Sequence, residues 1–270
     1  MKPTSIRIVI PLVLSLLAAA RAQSYGSELN LGVEAYRHSH YDEAIAHFRR
    51  ATELDPTQNV ARMYLATALV SEFIPGVDTK DNITIAEQAE DQYLHVLESD
   101  AAHDQKVNAA KGVAYLYLNT KKFDDAKHYY QVASGLDPKD AEPYYSVGVI
   151  DWTLCYQPRI EARAQLGMRA DDQLNPKVPA QKKVCDELRA KNMPTVEEGI
   201  DSLNTALNLR PDYDDAMAYI NLLYREKADL ECDDPALRAE DLKTVDAWVE
   251  KTIATKKIKA AKADPAMQPR

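Results

Sequence analysis

The stretch Leu31–Pro56, LGVEAYRHSHYDEAIAHFRRATELDP, decides the fold. Leu31 and the small Gly32 open it, Ala44, Phe48 and Ala51 follow at one-turn intervals, and Pro56 closes it. A second stretch repeats that spacing with Val113-Ala114, Ala126, Tyr130, Ala133 and Pro138. Leu31 to Pro56 is 25 steps, and so is Val113 to Pro138. A fixed small–large–small–proline pattern at this period signals a helix-turn-helix repeat. Arg37–His40 is the turn, and Tyr41-Asp42-Glu43 opens the second helix with acid at its positive end. Pro56 ends the unit because a helix does not easily continue through proline. Gly32 and Ala44 are small because the two helices cross closely there.

These residues resemble the tetratricopeptide repeat (TPR). Its marks are a small residue in the first helix, Ala, an aromatic and Ala in the second, and a closing Pro. The resemblance covers about residues 25–224 and is strongest in the first and third repeats. It implies an all-α fold, a right-handed α-solenoid of helix pairs with a C-terminal capping helix. The expected repeats are about 25–58, 59–103, 107–140, 141–213 and 214–262, within one solenoid over 23–262. Repeat two carries 11 extra residues at about 71–82, with Pro75-Gly76 as a turn signal. Repeat four carries 39 extra residues at about 153–194 and has Gly199 where Ala is usual. In that insertion, Gln157-Pro158 predicts a break or bend. Arg159–Met168 and Gln181–Lys191 predict short helices forming an extra layer or flap. Thr195-Val196-Glu197-Glu198 reads as a capping box opening the late second helix. Asp234-Pro235 predicts the start of the last helix, with Leu242, Val245, Val249 and Ile253 at helical spacing along it. Residues 263–270 read as a disordered tail.

The N-terminus adds a targeting signal. Lys2 and Arg7 precede an apolar run over Ile8–Ala20, and Ala20-Arg21-Ala22 is a cleavage pattern, so 1–22 reads as a secretory signal peptide. The run is 13 residues, short of the roughly 20 that span a bilayer. The mature chain is therefore expected to be exported without membrane insertion, periplasmic in a bacterium and otherwise secreted. The formal charge is −9, and removing Lys2, Arg7 and Arg21 with the leader makes it −12. That balance argues against nucleic acid, which needs clustered positive charge.

No Gly-rich phosphate loop, H-E-x-x-H or G-x-S-x-G occurs, so the sequence predicts no enzyme and no cofactor. His38, His40 and His47 with Glu43 are the nearest approach to a metal set, but their spacing matches no standard one. Asn82-Ile83-Thr84 matches a glycosylation acceptor pattern and is given no role. Of Cys155, Cys185 and Cys232, a Cys155–Cys185 bond would staple the insertion, with three buried thiols as the other reading.

By resemblance, the functional surface is the concave groove lined by first helices. The family's groove positions fall on Leu29, Val33, Tyr36 and Arg37, then on Met63 and Thr67. They continue at Lys111, Tyr115 and Asn119, and at Tyr145, Val149 and Trp152. Aromatics and Arg are the usual anchors of recognition surfaces, although Tyr36, Tyr115 and Trp152 also suit gaps between repeats. Leu29 and Val33 stand where a carboxylate clamp would need Lys or Asn. The leading expectation is thus an exported scaffold binding a protein or extended peptide. The alternatives are homo-oligomeric assembly through an exposed repeat end, or a small-ligand or enzyme site in the insertion around Arg159, Glu161, Asp186 and Glu187.

Overall fold

The structure is a computed structural model that describes residues 9–263, with side-chain surroundings for 22–262. Residues 1–8 of the expected leader and 264–270 of the expected tail lie outside the described residues. Among the described residues the regular structure is all helical: α1 Val9–Arg37, α2 Tyr41–Leu54, α3 Asn59–Glu72, α4 Lys80–Glu98, α5 His103–Asn119, α6 Phe123–Leu136, α7 Ala141–Gln165, α8 Pro179–Leu209, α9 Asp214–Leu230 and α10 Pro235–Ala263. Adjacent helices pack in pairs, in the manner of an α-solenoid. No described helix is long and apolar enough to cross a membrane. The chain divides into two compact units, 1–129 and 130–270.

In the first unit, α1 packs on α2, α3 on α4, and α4 on α5. Ala44, Phe48 and Ala51 are buried on one face of α2. The Phe48 ring leaves no room for a side chain at position 32, where a Cβ would come within 2.5 Å of it. The same ring stacks on Tyr64 of α3, with centroids 5.3 Å apart, so it joins one repeat to the next. The first helices α1 and α5 end in one cap. Ser39 and Lys121 take φ of 60° and 61°. The amides of His40 and Lys122 then reach back to the carbonyls of Ala35 (2.9 Å) and Tyr117 (2.8 Å). This left-handed closure satisfies carbonyls that the helix end leaves open. Helix α7 uses it too, with Gly167 at φ 69° and the Met168 amide bonded to Arg163 O at 2.9 Å.

Residues 71–82, expected as extra in repeat two, span the end of α3, the connection to α4 and the first turn of α4. Ile74-Pro75-Gly76-Val77 is a turn closed by the Val77 amide on Ile74 O at 3.3 Å, with Gly76 at φ 78°. Asn82, buried in the first turn of α4, holds that connection from inside. Its side chain accepts from Ile74 N (2.8 Å) and donates to Ile74 O (2.9 Å) and Val77 O (2.7 Å).

In the second unit, residues 153–194, expected as an insertion of short helices, are built differently. They add no separate layer of short helices. Helix α7 continues through Pro158 for 25 residues, and α8 through Pro194 for 31, against 14 in α2. Thr195–Glu198 therefore lies inside α8 and caps nothing. An interior proline costs about 3 kcal/mol. Here Cys155 and Arg163 on α7, and Cys185, Leu188, Asn192 and Val196 on α8, are all buried, and that packing outweighs the loss. At the level of the prolines, Asn192 Nδ2 donates to Cys155 O (3.3 Å), and the Cys155 thiol donates to Asn192 O (3.8 Å). Gly199 has a steric cause: a Cβ there would lie 2.7 Å from Leu223 and 2.9 Å from Asp151. At the start of α10, Asp234 Oδ1 accepts from the amides of Ala236 and Leu237, both at 3.0 Å. Along α10, Val245 is buried while Leu242 and Ile253 face solvent.

The cysteine pairing is also corrected. The bond joins Cys185 to Cys232, with Cα atoms 6.5 Å apart, and Cys155 keeps its thiol. Cys155 lies opposite Asn192, which places Cys185 seven residues, or about 10 Å, back towards the start of α8. There it meets the turn after α9. Arg189, one turn on, donates from Nε to Leu230 O (2.8 Å) and pairs with Asp233.

Candidate functional site

Consecutive first helices touch within the first unit, α1 with α3 and α3 with α5. Second helices α2 and α4 stand apart around a cleft of about 630 Å³ floored by Leu65 and Leu69. Arg49 and Arg62 cross it to the amide oxygens of Gln88 (2.9 Å) and Gln92 (3.0 Å). The first-helix side holds a different cleft of about 290 Å³. Val33, Tyr36 and Arg37 from α1, Phe48 from α2, and Tyr64 and Thr67 from α3 line it. The Tyr36 hydroxyl is 3.0 Å from Ser71 Oγ, and its ring is 5.4 Å from Tyr41, so the side chain is held upright at the rim.

Four groove positions from the sequence thus meet in this cleft: Val33, Tyr36, Arg37 and Thr67. Leu29 and Met63 pack against the core beside it. Lys111, Tyr115 and Asn119 follow one another at four-residue spacing on α5, outside that cleft. Asn119 donates to Tyr115 O at 2.8 Å and lines a smaller hollow of about 110 Å³ beside the Gly76 turn. Phe48 and Tyr64 were not among the expected lining. Tyr64 adjoins Met63 in sequence and was the available signal.

In the second unit, α7 touches α9. Tyr145 and Trp152 join through an α9 ring: Tyr219 lies 5.8 Å from Tyr145 and 5.6 Å from Trp152. Tyr213 adds a ring 4.8 Å from Tyr145, and Tyr156 one 4.8 Å from Trp152. Burial pushes the Tyr145 hydroxyl well above its ordinary range, with Tyr219 and Tyr213 adding to the effect. Val149 sits half-buried on the same helix. Tyr213 and Tyr219 lie outside the expected groove lining, which stops at Trp152.

The insertion residues do not converge. Arg159 turns inward to Glu226 on α9, 2.9 Å away. Glu161 accepts from Gln157 (3.0 Å), Asp186 pairs with Lys182 (2.9 Å), and Glu187 with Lys183 (3.7 Å), all on the surface. Of the histidines, His38 and His40 lie with rings 6.3 Å apart, and each of the three meets a different glutamate. His38 meets Glu34 at 3.0 Å, His40 meets Glu43 at 3.7 Å, and His47 meets Glu28 at 2.8 Å. Hydrogen bonds from His47 and then Arg50 hold the Glu28 carboxyl below its ordinary range. Among the described residues no group of three or more His, Cys, Asp or Glu is placed to hold a metal ion.

Two family models, both described as tetratricopeptide repeat, match residues 29–58 and 112–140. No curated protein sequence matches the chain. Among solved structures, a MamA protein aligns with TM-score 0.58 and 16% identity, over 92% of this chain and 100% of that one. MamA from Desulfovibrio magneticus RS-1 aligns with TM-score 0.54 and 13% identity, over 87% and 96%. YrrB, titled a TPR protein with an unusual peptide-binding site, aligns with TM-score 0.51 and 13% identity, over 86% and 90%. The chain thus carries tetratricopeptide repeats, at 29–58 and 112–140, in a fold it shares with solved TPR structures.

Proposed function

We propose that this chain is an exported, non-catalytic scaffold that binds a protein or an extended peptide on the faces of its first helices. The observation that carries the reading is the cleft of about 290 Å³ built from Val33, Tyr36, Arg37, Phe48, Tyr64 and Thr67. It is concave, mostly apolar, and rimmed by a tyrosine and an arginine, the residue types that anchor protein contacts. YrrB, a TPR protein described as having an unusual peptide-binding site, supports the reading through a similar fold. Export is supported by the leader pattern at 1–22 and by the Cys185–Cys232 bond, since disulfides persist in oxidising compartments.

Co-purification from the native host tests the proposal. Truncating an interface aromatic often costs about 2 kcal/mol, roughly 30-fold in affinity. The Tyr36→Ala, Tyr115→Ala variant should therefore lose partners that the wild type retains. Arg49→Ala, Glu87→Ala, on the opposite side of the first unit, should keep them. Partner recovery unchanged by the first variant and abolished by the second would overturn the assignment of the face.

A further inference from the structure

The five rings of the second unit form a continuous series in the order Tyr213, Tyr145, Tyr219, Trp152 and Tyr156. Neighbouring centroids are 4.8, 5.8, 5.6 and 4.8 Å apart. Tyr145, Trp152 and Tyr156 stand at i, i+7 and i+11 on α7, hence on one helix face. Tyr156 is 37% exposed, and the other four rings are half-buried, with part of each open to solvent.

Packing between α7 and α9 accounts for the ring contacts. The polar ends of these side chains face water: the hydroxyls of Tyr145, Tyr156 and Tyr219 and the indole N–H of Trp152 bond to no other side chain or carbonyl among the described residues, and none of them is a buried atom. The series therefore offers aromatic faces together with open donors.

We infer that this aromatic series is a docking site for a proline-rich segment in the polyproline II conformation. The inference rests on the scaffold reading above and assigns its second unit a ligand class. Polyproline II has no internal hydrogen bonds, so its carbonyls need donors from outside. Its proline rings need flat apolar faces, and aromatic-lined grooves provide both. An α-helical ligand has its carbonyls already satisfied and would leave the open donors unused. The dimensions agree as well. Tyr145 to Tyr156 spans about 16 Å along α7, which matches about five residues of polyproline II at 3.1 Å each. Such a ligand also loses little entropy on binding because it is already extended.

The test uses the full chain with Trp248→Phe, leaving Trp152 as the sole tryptophan reporter. Decaproline should change Trp152 fluorescence saturably, and a length-matched Gly-Ser peptide should not. Tyr156→Ala, at the exposed edge, and Tyr145→Ala, Tyr219→Ala, at the centre, should each weaken decaproline by tenfold or more. Tyr156→Ala lies outside the core, so it keeps the test valid if the central pair misfolds by circular dichroism. No saturable response to decaproline, or an equal response to the Gly-Ser peptide, would overturn the inference. Saturation by cellohexaose in place of decaproline would also overturn it, assigning the rings to carbohydrate. Partner capture through Tyr36 and Tyr115 is read separately, so either proposal can fail while the other stands.

Discussion

Replacing Cys185 and Cys232 together by Ala should lower the stability of the 130–270 unit by about 4 kcal/mol, as the entropy of a loop of this size predicts. The bond closes a loop with a sequence separation of 47. It ties α8 to the turn after α9, where Arg189 already binds Leu230 O and Asp233. The effect thus falls on the junction of two helix pairs. Urea denaturation with and without reductant measures it. Wild type should lose its advantage in reductant, the double variant should be indifferent to reductant, and Cys155→Ala should keep the wild-type response to reductant. Identical midpoints for wild type under both conditions would rule out this bond as a source of stability.

The second large effect lies in the charged cluster between α7 and α9. Arg163 is fully buried and pairs with Asp229, which is 15% exposed. Its Nε also donates to Asp172 O (2.9 Å), and its Nη1 to Arg159 O (3.3 Å). Arg159 reaches Glu226 at 2.9 Å and Asp229 at 4.0 Å. Arg163→Met keeps much of the volume but leaves a shielded carboxylate and a carbonyl without their donor. Removing one partner of such a pair typically costs about 3–5 kcal/mol. The same cluster sets a pH dependence. Burial, more than any neighbour, pushes the Glu226 carboxyl up from 4.5 to about 7, with Asp229 adding to it and Arg159 opposing. The folded state therefore holds a proton that the unfolded chain releases. Stability from this group is complete below pH 4.5 and is lost as pH rises through about 7. Denaturation across that window should show a slope that Glu226→Gln flattens. A midpoint for Arg163→Met within about 0.5 kcal/mol of wild type, the range of an ordinary surface change, would mean that the cluster contributes little.

Where residues act through local rules, the sequence was readable. The repeat spacing at Leu31–Pro56 and Val113–Pro138 located α2 and α6, both 14 residues long, because small crossing positions and closing prolines act within one helix pair. The Asp234 cap and the Gly76 turn were legible for the same reason. Repeat four was not. Pro158 and the Thr195–Glu198 pattern look like helix ends, and only burial of Arg163, Cys185 and Asn192 against other helices overrides them. Cysteine pairing failed likewise. Cys155 is nearer to Cys185 in sequence, but the register of α7 on α8 sets it opposite Asn192. Of the groove, α1 and α3 positions share a cleft, while Tyr219 and Tyr213 depended on how α9 meets α7, which no local pattern encodes.

Asn82 has a consequence for making this protein. An oligosaccharide can be attached only if a transferase reaches the carboxamide nitrogen, and here that nitrogen points inward at Ile74 O and Val77 O. A sugar chain at this acceptor would have to arrive while the polypeptide is still emerging, and it would then prevent the α3–α4 connection from closing. In a eukaryotic expression strain, a glycosylated fraction would consist of chains that never completed the first unit, and a bacterial strain avoids that competition altogether.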